Sequence, residues 1–158
     1  MAFRLKAIKP KTNARNAART IQAVKSVMEA ARDGALKDYL SCTRSWDHTV
    51  VFEAIQTKDG WIVGTEDEVF QYVDEGTEPH TIAPKPGNAL RFYAGGAPKS
   101  TPHIIGSNPG RRGDQLVFTR KPVHHPGTEA REFTEEIHKK WEAKLPDMMQ
   151  EEITKAIG

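Results

Sequence analysis

The apolar positions change period along the chain, and each change marks a new element. Phe3, Leu5 and Ala7 alternate with the basic Arg4 and Lys6 at period two as far as Ile8, which predicts a half-buried strand ending at Pro10, or an arm that pairs with a neighbouring subunit. From Asn13 the repeat lengthens. Ala17, Ile21, Val24, Met28, Ala31 and Ala35 recur at helical spacing, predicting a long helix with this stripe on a core and Arg15, Arg19, Lys25, Glu29 and Arg32 in water. Gly34 is a candidate kink or end, with Leu36, Tyr39 and Leu40 carrying the helix on to about Cys42. Thr49 to Ile55 is dense in β-branched and aromatic residues and reads as a strand, turned by Lys58-Asp59-Gly60 into a return strand Trp61–Gly64.

Val69 to Val73 is a short apolar run, read as extended. Thr81–Pro84 and Leu90–Phe92 are short extended pieces limited by prolines, which belong at sheet edges. Tyr93 to Gln115 holds Gly95-Gly96, Pro98, Pro102, Gly106, Pro109-Gly110 and Gly113, and predicts a long flexible loop that orders against a partner. Leu116–Thr119 resumes the sheet. A last helix has Thr128 as its expected N-cap and Phe133, Ile137 and Trp141 on one face. Pro146 is expected to break or kink it, with a restart over Asp147–Ile157. Strands lying consecutively between two helices give an α+β class: one domain, residues 1–158, with a long N-terminal and a C-terminal helix on an antiparallel sheet of about four or five strands.

Composition narrows the function classes. A net charge of +2 over 158 residues is too balanced for a molecule whose whole surface is built for nucleic acid. The single cysteine, Cys42, excludes an intrachain disulfide and any Cys-based zinc module. No run approaches the roughly 18 apolar residues of a membrane span, so a chain made and used in soluble form, without membrane partners, is expected.

Two stretches share unusual punctuation: Gly76-Thr77-Glu78-Pro79-His80, and His125-Pro126-Gly127-Thr128 followed by Ala130-Arg131 and Phe133. In each, a proline fixes φ and a glycine permits a sharp reversal. The similar settings of His80 and His125 suggest two turns lying side by side, each imidazole tying a turn backbone. This paired motif, with Ala89-Leu90-Arg91-Phe92 between, resembles the tail-component family of long-tailed bacteriophages, the neck or tail-completion proteins of the head-to-tail junction. The likeness runs from about Arg44 to Phe133. Many members have a Pro and a Thr-Gly-x-Leu-Arg segment after the first helix, where this chain has Thr43-Arg44-Ser45-Trp46-Asp47-His48. The resemblance implies a virion protein, made in the cytoplasm of a host bacterium, that forms a homo-oligomeric ring with a hexamer as the candidate stoichiometry. Its implied partners are copies of itself, other neck and tail proteins and, in non-specific contact where Arg111 and Arg112 would line a channel, genomic DNA. The implied interaction residues are Gly76, Thr77, Pro79, His80, His125, Pro126, Gly127, Thr128 and Phe133.

Catalytic chemistry is not legible. His124 and His125 adjoin in a strand and point to opposite faces, and no His-Glu-x-x-His or facial-triad spacing accompanies them, so no metal and no cofactor is expected. No Gly-x-Ser-x-Gly elbow or phosphate-cradling glycine loop is present, and Cys42 has no nearby histidine before His48. A non-enzymatic, structural protein is therefore the expectation. Two other classes stay open: a nucleic-acid-binding module using Arg111 and Arg112 of the loop with Arg4, Lys6, Lys9 and Lys11 of the arm, and a metallohydrolase dependent on His80 or His125.

Overall fold

The computed structural model describes residues 2–6 and 17–157. Its elements follow the order β1 (Ala2–Lys6), α1 (Ala17–Thr43), β2 (Glu53–Thr57), β3 (Gly60–Gly64), α2 (Glu68–Glu75), β4 (His80–Ile82), β5 (Leu90–Ala94), β6 (Gln115–Thr119), β7 (Val123–His125) and α3 (Phe133–Ile157). The class is α+β with antiparallel pairing, framed by an N-terminal and a C-terminal helix. The strands do not share one sheet of four or five. They divide into a three-stranded sheet, β1-β3-β2, and two separate ribbons, β4-β7 and β5-β6. The prolines and glycines that flank β4, β5 and β7 keep these strands short and prevent their joining into a wider sheet.

The core is built where α1, α3 and the three-stranded sheet meet. Phe70 stands at its centre, edge-on to Phe52 at 5.2 Å and to Tyr39 at 5.9 Å, with Phe133 at 6.1 Å. Such offset ring pairs add about 0.5–1.5 kcal/mol each to the burial of their surfaces. The stripe that α1 turns inward keeps Met28, Ala31 and Ala35 of the predicted set, with Val24 partly buried against the core, and adds Thr20, Ala23, Val27, Tyr39 and Cys42, while Ile21 is exposed. Small residues occupy the inward positions because α3 passes close by. Gly34 neither kinks nor ends α1; a methyl group there would run into the indole of Trp141. Trp141 Nε1 in turn donates to Asp38 Oδ2 at 2.8 Å, and Lys140 Nζ donates to the same oxygen at 2.7 Å, so α1 and α3 are joined by packing and by a polar clasp.

Three further expectations change. Residues 69–73 are helical rather than extended, because Asp67 caps α2 by accepting from the Phe70 amide at 2.8 Å. The last helix is continuous through Pro146. The proline removes one internal hydrogen bond, and Leu145, Met148 and Met149, which pack against the core on either side of it, hold the helix together. The starting point of α3 also moves, from just after Thr128 to Phe133. Of the predicted first strand, Ala7 and Ile8 lie outside the described residues, as do Lys9, Lys11 and the predicted helix start at Asn13. Among the described residues no helix is long and apolar enough to cross a membrane.

Candidate functional site: a double corner at the head of the last helix

The two punctuated stretches meet. Thr77 and Thr128 form an antiparallel bridge, the Thr77 amide donating to Thr128 O at 2.9 Å and the Thr128 amide to Thr77 O at 3.0 Å. The Thr77 hydroxyl also accepts from the Thr128 amide at 3.0 Å. One step further out, His80 pairs with His125 and their rings stack at 4.9 Å. Glycine makes this approach physically possible. Gly127 has φ 90° and a Cβ there would strike the Thr77 carbonyl, while a Cβ on Gly76 would lie 2.6 Å from Thr128 O.

Each imidazole is engaged by backbone. His80 Nδ1 donates to Glu78 O at 2.9 Å, and His125 Nδ1 accepts from the Gly127 amide at 3.1 Å. With both Nδ1 atoms tied to turn backbone and the rings face to face, the pair braces the two turns. Pro79 and Pro126 are exposed on the rim of the corner, and Phe133 is fully buried beneath it.

Thr128 is not the N-cap of α3, because the helix begins five residues further on, at Phe133. The cap is supplied from α2: Asp74 Oδ1 accepts from the Thr134 amide at 3.2 Å. The exchange is mutual. The amides of Arg131 and Glu132 donate to the carbonyl of Asp74 at 3.1 and 3.0 Å, satisfying the end of α2 with the residues that lead into α3. Asp74 is almost wholly buried, and its Oδ2 has no hydrogen-bond partner among the described residues.

The stretch from Tyr93 to Gln115 is fastened to this corner and to the end of α1. Ala97 and Arg111 bridge its base through hydrogen bonds of 2.7 and 3.1 Å. The His103 amide donates to Arg131 O at 2.9 Å, and the Ser45 hydroxyl donates to Asn108 O. The buried Arg131 side chain reaches Ser100 Oγ at 3.2 Å. The two loop arginines are used within the ribbon. Arg111 Nη2 donates to Gly95 O at 2.6 Å, and the Arg112 guanidinium lies 3.7 Å from the centre of the Tyr93 ring.

Cys42 is buried, and that burial pushes the pKa of its thiol up to about 12, far from the range of a reactive thiolate. One group was not singled out in the sequence. His103, Glu132 and Glu136 bring a ring nitrogen and two carboxylates within 4.8 Å of one another. Their separation of almost thirty residues hides them, and only the pairing of Glu132 with Glu136 one helical turn apart was a usable signal.

No family model matches the chain, and no curated protein or solved structure matches it.

Proposed function

We propose that the chain is a structural protein of a long-tailed bacteriophage particle, placed at the neck or upper tail, where copies of it form a ring that joins head to tail. The observation that carries this reading is the double corner: the residues behind the family resemblance fold into one braced unit from which two narrow ribbons emerge. Among the described residues each ribbon pairs only with itself, leaving strand edges open, and each exposes large apolar side chains, Ile82 at 40%, Leu116 at 40% and Phe118 at 64%. A two-stranded ribbon is marginal on its own, and an open edge with apolar residues is a template for a further strand. Addition of a neighbour's strand at such an edge, repeated head to tail around an axis, gives a closed ring. The ring's partners are then copies of the chain and the neck and tail proteins above and below it.

Native mass spectrometry of the purified protein over a range of concentrations, with electron microscopy of the same sample, tests the reading. A closed ring is expected, and Phe118→Asp is expected to return it to smaller species without unfolding it. A wild-type protein that stays monomeric at every concentration, and beside isolated tail tubes as well, would overturn it.

A further inference from the structure

We propose that His103, Glu132 and Glu136 form a binding site for one divalent cation of the zinc class per chain. His103 Nδ1 stands 3.0 Å from Glu132 Oε2 and 3.8 Å from Glu136 Oε1. An ion bonded to nitrogen and oxygen at about 2.0–2.2 Å holds neighbouring donors roughly 3.0–3.5 Å apart, so the first spacing suits it and the second has to close by a few tenths of an ångström.

An ordinary surface ion pair needs one carboxylate. Here two carboxylates of like charge, Glu132 immediately ahead of α3 and Glu136 in its first turn, both face a single imidazole brought from another segment of the chain. Lys139 is the other cation in reach. It lies 3.3 Å from Glu136 but is also held by Glu135 at 2.8 Å, so it can leave Glu136 to an ion while keeping a partner.

The donors are also presented by fixed backbone. The His103 amide is tied to Arg131 O, the residue next to Glu132, and the Glu136 amide donates to Glu132 O at 3.0 Å. Among the described residues the two non-glycine positions at positive φ are His103 and Glu132 themselves.

The donor chemistry selects the ion. Calcium and magnesium take oxygen sets, whereas one imidazole with two carboxylates suits zinc, manganese or cobalt. Side-chain exposures of 60%, 39% and 26% for His103, Glu132 and Glu136 leave the outer coordination positions to water. Bound there, the ion joins residues 95–114 to the head of α3 at a further point, besides the His103 backbone bond and the bond of Arg131 to Ser100.

Titration calorimetry of Zn2+ into chelator-treated full-length protein, repeated with Co2+ to read its visible absorption, tests the assignment. One site per chain is expected, weakened at least tenfold in His103→Asn and in Glu132→Gln, and unaltered in His80→Ala. Asparagine tolerates the left-handed backbone at position 103 but supplies no imidazole, and glutamine keeps the shape of Glu132, so both variants should fold, as circular dichroism will show. A wild-type protein that binds no ion, or one whose affinity is unchanged in both His103→Asn and Glu132→Gln, would overturn it. Neither readout depends on ring formation, so the outcome is separate from that of the assembly experiment.

Discussion

The helical body and the double corner are held together by different forces. In the body, Tyr39, Phe70, Phe133 and Ile137 are removed from water and the polar clasp at Asp38 is secondary. In the corner, Pro79, His80 and Pro126 remain exposed, and the structure rests on two reciprocal backbone bonds, a stacked pair of imidazoles and two glycines that allow the chains to touch. Burial is non-directional and sums over area, so it sets how stable the molecule is. Backbone bonds between glycine-lined turns are directional and each adds only about 1 kcal/mol, so they set where the ribbons point.

The largest effect should come from the body. Phe133→Ala empties a fully enclosed site and is expected to lower the unfolding free energy by about 3–5 kcal/mol in urea denaturation. Gly127→Ala should cost less, about 1–3 kcal/mol, because it forces a residue with a Cβ into positive φ against the Thr77 carbonyl. Its signature is local: the Thr77 and Thr128 amides should lose hydrogen-exchange protection while those of α1 keep theirs. Should Gly127→Ala prove as damaging as Phe133→Ala, the distinction between the two regions fails.

Gly34→Ala sharpens the comparison from the other side. It improves helix propensity by about 1 kcal/mol but overpacks the indole of Trp141, with a net loss of about 1–2 kcal/mol expected in thermal melts. Adding Trp141→Phe should recover part of that loss, a coupling that independent sites would not show.

The smallest effect is Asp67→Ala, about 1 kcal/mol at neutral pH from loss of the α2 cap. Although partial burial raises the Asp67 carboxyl, the hydrogen bonds from His48 and the Phe70 amide outweigh it and hold the group below the usual carboxylate range. Its contribution is therefore complete above the unfolded value of about 4 and is lost as pH falls through the lower folded one. The wild type and Asp67→Ala should accordingly converge in stability in acid.

Much of this division was legible in the chain. The period of three and four residues marked α1 and α3, Asp59-Gly60 marked the β2-β3 turn, and the repeated Gly, Thr, Pro and His punctuation marked both halves of the corner. Apart from residues 69–73, whose cap Asp67 lies beside them, the failures share a physical cause, which is that the deciding partner lies far along the sequence. Ile21 fits the helical stripe as well as Thr20 does, yet Thr20 is buried and Ile21 exposed, a choice made by the packing around α1 and not by its period. Thr128 has the chemistry of an N-cap, but α3 starts only at Phe133 and Asp74, 60 residues before Thr134, caps it instead. Residues 69–73 look extended until Asp67 is seen to cap them. His103 joins Glu132 and Glu136 only because residues 95–114 fold back onto Arg131.

The mutual capping of α2 and α3 makes their ends interdependent. Opening the first turn of α3 exposes the terminal carbonyls of α2, and fraying α2 withdraws the carboxylate that seats Thr134. Neither terminus can loosen by itself, so Phe70 and Phe133, seventy and more residues deep in the chain and far apart in it, should gain and lose their order in the same kinetic step.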